Sequence, residues 1–144
     1  MRLAAALFLF ASPALAWEAS STGPVCLLSH DTGEALVQVS HDPRNAMAYS
    51  IHLKYAQSAW SDAPLFAIRF EGPGALTIST DRHRLIDQKA GLVVSDSGFG
   101  NVLRGLEANH TALAILGDQT MAIPLDGAAP EVAKFRACTL GAGV

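Results

Sequence analysis

The chain has 144 residues, half of them hydrophobic and only 16% charged, with a net charge of −3. That length supports one domain with a proper core but not two. The scattered Lys and Arg residues form no basic field for nucleic acid and no polybasic segment for anionic lipid.

The N-terminus reads as a secretory leader. Arg2 supplies a positive start, Leu3 to Ala11 is an apolar run, and Ser12-Pro13 breaks it. Ala14-Leu15-Ala16 then offers the small-x-small pattern that a signal peptidase holds extended. Cleavage is expected after Ala16, leaving a single domain over residues 17–144 that begins at Trp17. A membrane anchor would need about 20 apolar residues, and no stretch of the chain approaches that. The residue after the expected cleavage site is not Cys, so lipid attachment there is not expected. The expected location is the periplasm or the extracellular medium.

Cys26 lies near the start of that domain and Cys138 near its end. An even cysteine count in an exported chain favours a disulfide. Closing so large a loop would contribute about 4 kcal/mol by restricting the unfolded chain. Two buried free thiols are the alternative; a nucleophilic Cys has no supporting local pattern.

Period-two alternation, broken by turn residues every eight to twelve positions, predicts antiparallel β structure. Val25 to Leu28 is the first expected strand, and Ala35 to Ser40 follows the turn at Asp31-Thr32-Gly33. After turn chemistry at His41 to Asn45, Met47, Tyr49, Ile51, Leu53 and Tyr55 share one face, with Ala48, Ser50, His52 and Lys54 on a wet one. Gln57 to Pro64 is a polar loop with Trp60 embedded in it. Phe66, Ile68 and Phe70 alternate next, then Leu76 and Ile78 beyond the Gly72-Pro73-Gly74 turn. Arg84 to Asp87 and Gly91 to Ser95 are further short strands.

Periodicity then changes. Phe99, Val102, Leu103 and Leu106 form one stripe of a helix, with Asp96 or Ser97 expected to cap its start and Asn109 to end it in the left-handed conformation. Gly100 and Gly105 should each weaken it by up to about 1 kcal/mol relative to Ala. A hairpin follows around Gly117-Asp118, with Leu113 and Ile115 expected to face Met121, Ile123 and Leu125. Pro130 opens a last short helix whose inward face is Val132, Phe135 and Cys138. The expected fold is therefore mainly β: an antiparallel β-sandwich or flattened barrel with two short helices near the C-terminus.

Signals of chemistry are sparse. His30, His41, His52, His83 and His110 lack the spacing of a metal site, although His30 and His41-Asp42 would approach if their strands paired. Gly-x-Ser-x-Gly, phosphate-loop and dinucleotide fingerprints are absent from the sequence, so neither catalysis nor a cofactor is expected. Ser95 to Gly100 is a Gly/Ser-rich turn before a helix and could hold an anion, but capping and turning the chain account for the same residues. Asp81 and Asp87 become an acid/base pair only with suitable geometry. Asn109-His110-Thr111 matches a glycosylation sequon that matters only in a eukaryotic secretory pathway. Arg82-His83-Arg84 reads as a solvated edge. The binding candidates are Tyr55 and Trp60 as an exposed aromatic contact, beside His52 and Lys54 on the wet face. In the alternative, Trp60 folds over the sheet edge and joins the core.

The last third of the chain resembles the bacterial invasion-associated locus B family. The resemblance is carried by Val102-Leu103-Arg104-Gly105-Leu106, Thr111-Ala112-Leu113-Ala114-Ile115, Ala122-Ile123-Pro124-Leu125-Asp126-Gly127 and the short helix through Ala133 to Cys138. It implies a periplasmic or secreted β-sandwich without catalytic residues. The expectation is thus a non-catalytic exported protein that binds an envelope or extracellular protein. The second expectation is a small-ligand carrier, distinguished by a cavity between its sheets.

Overall fold

Ten strands, most of them with alternating burial, form among the described residues, 16–141 of a computed structural model. The expected leader lies outside them, save for Ala16. The strands are β1 (Glu18–Thr22), β2 (Val25–Asp31), β3 (Ala35–His41), β4 (Tyr49–Tyr55), β5 (Phe66–Glu71), β6 (Leu76–Thr80), β7 (Arg84–Ile86) and β8 (Gly91–Asp96), then β9 (Thr111–Leu116) and β10 (Gln119–Pro124). Helix α1 (Gly100–Ala108) lies between β8 and β9, and α2 (Ala128–Gly141) follows β10. Six strands pair antiparallel in the order β1-β2-β3-β4-β8-β7, and four in the order β10-β9-β5-β6. No pairing joins the two sheets, so the architecture is a sandwich rather than a barrel.

The inner face of the larger sheet is a continuous aliphatic surface. Cys26, Leu28, Val37, Val39, Ile51, Leu53 and Leu92 are buried there, on alternate positions of neighbouring strands whose registers align them. Phe66, Ile68 and Phe70 of β5 meet this surface from the smaller sheet, with Ala112, Ala114, Leu116, Met121 and Ile123 beside them. Sheets of unequal width leave part of the larger inner face uncovered, and the helices occupy that space. α2 packs on β1, β2 and α1, burying Val132 and Phe135. Tyr49 stacks on Phe99 at 5.5 Å and meets Phe135 at 6.4 Å.

Cys26 and Cys138 are joined by a disulfide across 112 residues. It ties α2 to the second strand rather than the first, because β1 precedes β2. That extra strand has no signature in the sequence, because Glu-Ala-Ser-Ser-Thr offers almost no apolar alternation; it forms by pairing its backbone with β2. Trp17 is buried beside it, its indole N–H donating to the Pro124 carbonyl at 3.0 Å and its ring stacking on His30 at 4.9 Å.

Four local expectations are corrected. Met47 lies outside β4 and is 45% exposed. In the β9–β10 hairpin Ala112, Ala114 and Leu116 face inward with Met121 and Ile123, while Leu113 and Ile115 point outward opposite Ala122 and Thr120. Both faces of β9 carry apolar residues, so alternation alone could not choose; the tight turn, with Gly117 at φ 61°, sets the register. Neither Asp96 nor Ser97 caps α1, whose N-cap is Phe99 without a side-chain hydrogen bond. Asn109 is extended, not left-handed. It ends the helix differently, its Nδ2 donating to the carbonyls of Gly105 and Gly74 at 3.0 Å each.

Gly105 has a packing reason. A Cβ there would stand 2.4 Å from the Phe70 ring, whereas one at Gly100 would meet nothing within 4 Å. Gly105→Ala is therefore expected to destabilise the protein by about 1–3 kcal/mol through overpacking, despite the helical preference for Ala. Gly100→Ala should be neutral or stabilising. Urea denaturation of both variants checks the opposite signs.

Candidate functional site

The four residues proposed from sequence do not form one surface. Tyr55 is half-buried on the inner side of β4, whereas His52 and Lys54 point outward from the same strand. Trp60 is not an exposed contact: it is 2% exposed and belongs to the core. Its indole N–H donates to the Leu53 carbonyl at 3.1 Å, and its ring lies 4.8 Å from that of Tyr55. Burial raises the Tyr55 phenol pKa.

The loop carrying Trp60 is drawn inward by the turn between β7 and β8. The Trp60 amide donates to the Lys89 carbonyl at 2.7 Å, and Lys89 pairs with Asp62. Asp87, Gln88 and Lys89 are all left-handed, at φ 52°, 56° and 70°, a conformation that costs a side-chain-bearing residue roughly 1 kcal/mol or more. These tethers and the Lys54–Asp87 ion pair at 3.2 Å hold that turn.

On the outer face, His52 is pressed against Gly91; a Cβ at residue 91 would stand 2.6 Å from His52 Nε2. That nitrogen is buried without a hydrogen-bond partner. Burial lowers the His52 pKa, outweighing the nearby Asp87 carboxylate, which raises it; Lys54 lowers it further. Strands β2 and β3 do pair, but the register sets His41 opposite Cys26 and His30 opposite Val37, at different levels of the sheet. Among the described residues no cluster of three or more His, Cys, Asp or Glu could hold a metal ion.

A concave feature that reaches between the sheets lies elsewhere. A cleft of about 570 Å³ opens where β6 faces β4 and β8, a size suited to one small ligand. Ile51 and Val94 line it from the larger sheet, Phe66, Ile68 and Ile78 from the smaller, and Phe99 and Val102 from the start of α1. Ile78 and Val94 are only half-buried, so aliphatic surface remains open to the cleft. The mouth is polar: Arg82, Arg104, Asp96 and Asn101 stand around it. The first turn of α1 also borders it, without an acidic side chain or a side-chain cap. The Asp96 carboxylate is turned to its own loop, accepting from the Ser97 amide at 2.7 Å and from the Ser97 hydroxyl at 3.4 Å.

Sequence reasoning reaches only one rim of this site. The sequence puts Arg82 on a solvated edge and offers Ser95 to Gly100 as an anion-holding turn or a helix cap, without joining the two; the structure sets both at one opening. The signals available were the Arg82-His83-Arg84 cluster and the glycines before α1, each weak alone.

Fold and site together define a two-sheet antiparallel β-sandwich with an open inter-sheet cleft. Comparison with protein-family models, with curated proteins and with solved structures finds no match. No helix among the described residues is long and apolar enough to cross a membrane.

Two outcomes check this geometry. Trp60→Ala should cost about 3–5 kcal/mol, the price of a buried aromatic, read by chemical denaturation. For His52 the folded state resists protonation, whereas the unfolded chain binds a proton below the ordinary value of 6.5. This residue's effect therefore appears as stability lost when pH falls through 6.5. His52→Gln should accordingly lose less Tm than the parent between about pH 7.5 and 5.5.

Proposed function

We propose that the protein is a non-catalytic exported binding protein that holds one small, largely apolar ligand in the cleft between its sheets. The observation that carries this reading is the cleft itself, lined by half-buried Ile78 from one layer and Val94 from the other. A sandwich whose role is purely surface contact would gain by closing that gap, because each exposed Å² of aliphatic surface forgoes about 25 cal/mol. The burial of Trp60 also removes the aromatic anchor on which a protein-docking role would rest. Export is supported by the leader pattern before Trp17 and by the Cys26–Cys138 bond, which suits an oxidising compartment. The resemblance to the invasion-associated locus B family agrees with an exported protein without catalytic residues.

A second reading, docking of an envelope protein, draws on the outer face of the larger sheet. The helices and the smaller sheet lie on the opposite side, and Leu27, Leu36 and Val93 are half-buried there among serines.

The reading is tested by thermal shift and native mass spectrometry of the delipidated protein against a panel of small apolar molecules. A ligand at about a hundred times its Kd should stabilise the fold by about 2.7 kcal/mol. Ile78→Trp, which places an indole in the cleft, should abolish that shift while leaving the unliganded Tm close to the parent value. A shift that survives Ile78→Trp unchanged would move the ligand out of the cleft.

A further inference from the structure

The cations of this chain are distributed unevenly. Apart from Arg2, outside the described residues, nine of its ten Lys and Arg remain. Six of these pair with carboxylates: Arg44, Lys54, Arg69, Lys89, Lys134 and Arg136. Arg82, Arg84 and Arg104 form no ion pair among the described residues, and two of these three stand at the mouth of the cleft. Among the described residues, Arg104 donates only to the Asn101 side chain, at 3.1 Å, and Arg82 hydrogen-bonds through its backbone amide, to Thr80, but not through its guanidinium. Their guanidinium groups thus keep most of their donors free.

An acidic group at this mouth would meet two cations against one carboxylate, Asp96, which is already engaged by Ser97. Guanidinium groups bind carboxylate and phosphate oxygens bidentately, with shorter and stronger hydrogen bonds than neutral donors make. Among the lining residues the two arginines are exposed, Ile78 and Val94 half-buried and Ile51 and Ile68 buried, with Ser79, Thr80 and Ser95 beside them. The order from exposed to buried is therefore cationic, then largely apolar, and the volume suits one small ligand.

We propose that the ligand of the cleft is a single-chain acidic amphiphile, its hydrocarbon chain between the sheets and its acidic headgroup on Arg82 and Arg104. This rests on the reading of the cleft as a ligand site and adds the chemistry of the ligand. A carboxylate or a phosphate monoester head satisfies the same donors, and the chain is common to both.

The test is calorimetric titration of the delipidated protein at low salt with dodecanoate, dodecyl phosphate, dodecanol and dodecyltrimethylammonium, the ionic probes below their micelle concentrations and dodecanol below its solubility limit. At least one acidic probe should bind about tenfold or more tightly than dodecanol, and the cationic probe should bind more weakly than dodecanol. The more tightly held acid identifies the head as carboxylate or phosphate. The double variant Arg82→Gln, Arg104→Gln should erase the preference for the acids while leaving dodecanol affinity unchanged. Arg84→Gln, which removes the unpaired arginine away from the cleft, should preserve the preference. Equal binding of acid and alcohol, or a preference that survives the double variant, would overturn the assignment of the headgroup and leave the cleft as an apolar site. Absence of binding by all four probes would overturn the cleft reading together with this one.

Discussion

The bond between Cys26 and Cys138 is the constraint on which the far end of the molecule depends. It fixes α2 against β2 across 112 residues of sequence, where the smaller sheet does not reach. α2 in turn steadies α1 through the Arg136–Glu107 pair at 3.0 Å and brings Phe135 to Tyr49. Tyr49 stacks on Phe99, which both starts α1 and lines the cleft. The same end is closed from the other side, where Trp17 reaches the Pro124 carbonyl and the Ala19 amide donates to Glu131 at 3.2 Å. The position of the cleft wall is thus set through a chain of contacts beginning at a covalent link. Such a link acts chiefly on the unfolded chain, by limiting the conformations open to it.

The cleft follows from a mismatch between layers. Six strands face four, and two short helices fill most of the difference. At the β6 edge the filling is incomplete, so Ile78 and Val94 remain half-buried where a continuous core would have enclosed them. Close packing is the rule inside proteins, and a gap of this size with partly apolar walls is where a ligand can supply the missing contacts. The polar mouth adds orientation to that affinity, since apolar contacts are non-directional and charge-assisted hydrogen bonds are not.

The outer face of the larger sheet behaves differently. His52 sits there over Gly91, and its Nε2 is buried without a partner. The cost of charging that imidazole makes the outer face of β4 a place where pH reaches the fold. The Lys54–Asp87 pair beside it is solvent-exposed and contributes little by itself.

Much of the architecture was legible in the residues. The alternation through Tyr49, Ile51 and Leu53, the Phe66-Ile68-Phe70 run, the helical stripe from Phe99 to Leu106 and the turn at Gly117 each impose a local geometry that neighbours cannot easily override. The even cysteine count likewise left only one intramolecular pair to form. What the sequence by itself determined was therefore the mainly β class, the helices and the partners in the disulfide, because period, turn chemistry and valence are local properties. Only the tertiary structure decided the rest. It added β1, whose pairing comes from its backbone and not from apolar side chains; it chose the inward face of β9, where both faces are apolar; and it took Trp60 into the core. It also brought Arg82 and Arg104, distant in sequence, to one opening, because the mouth of a cleft is set by how two sheets and a helix meet, and no single segment carries that information.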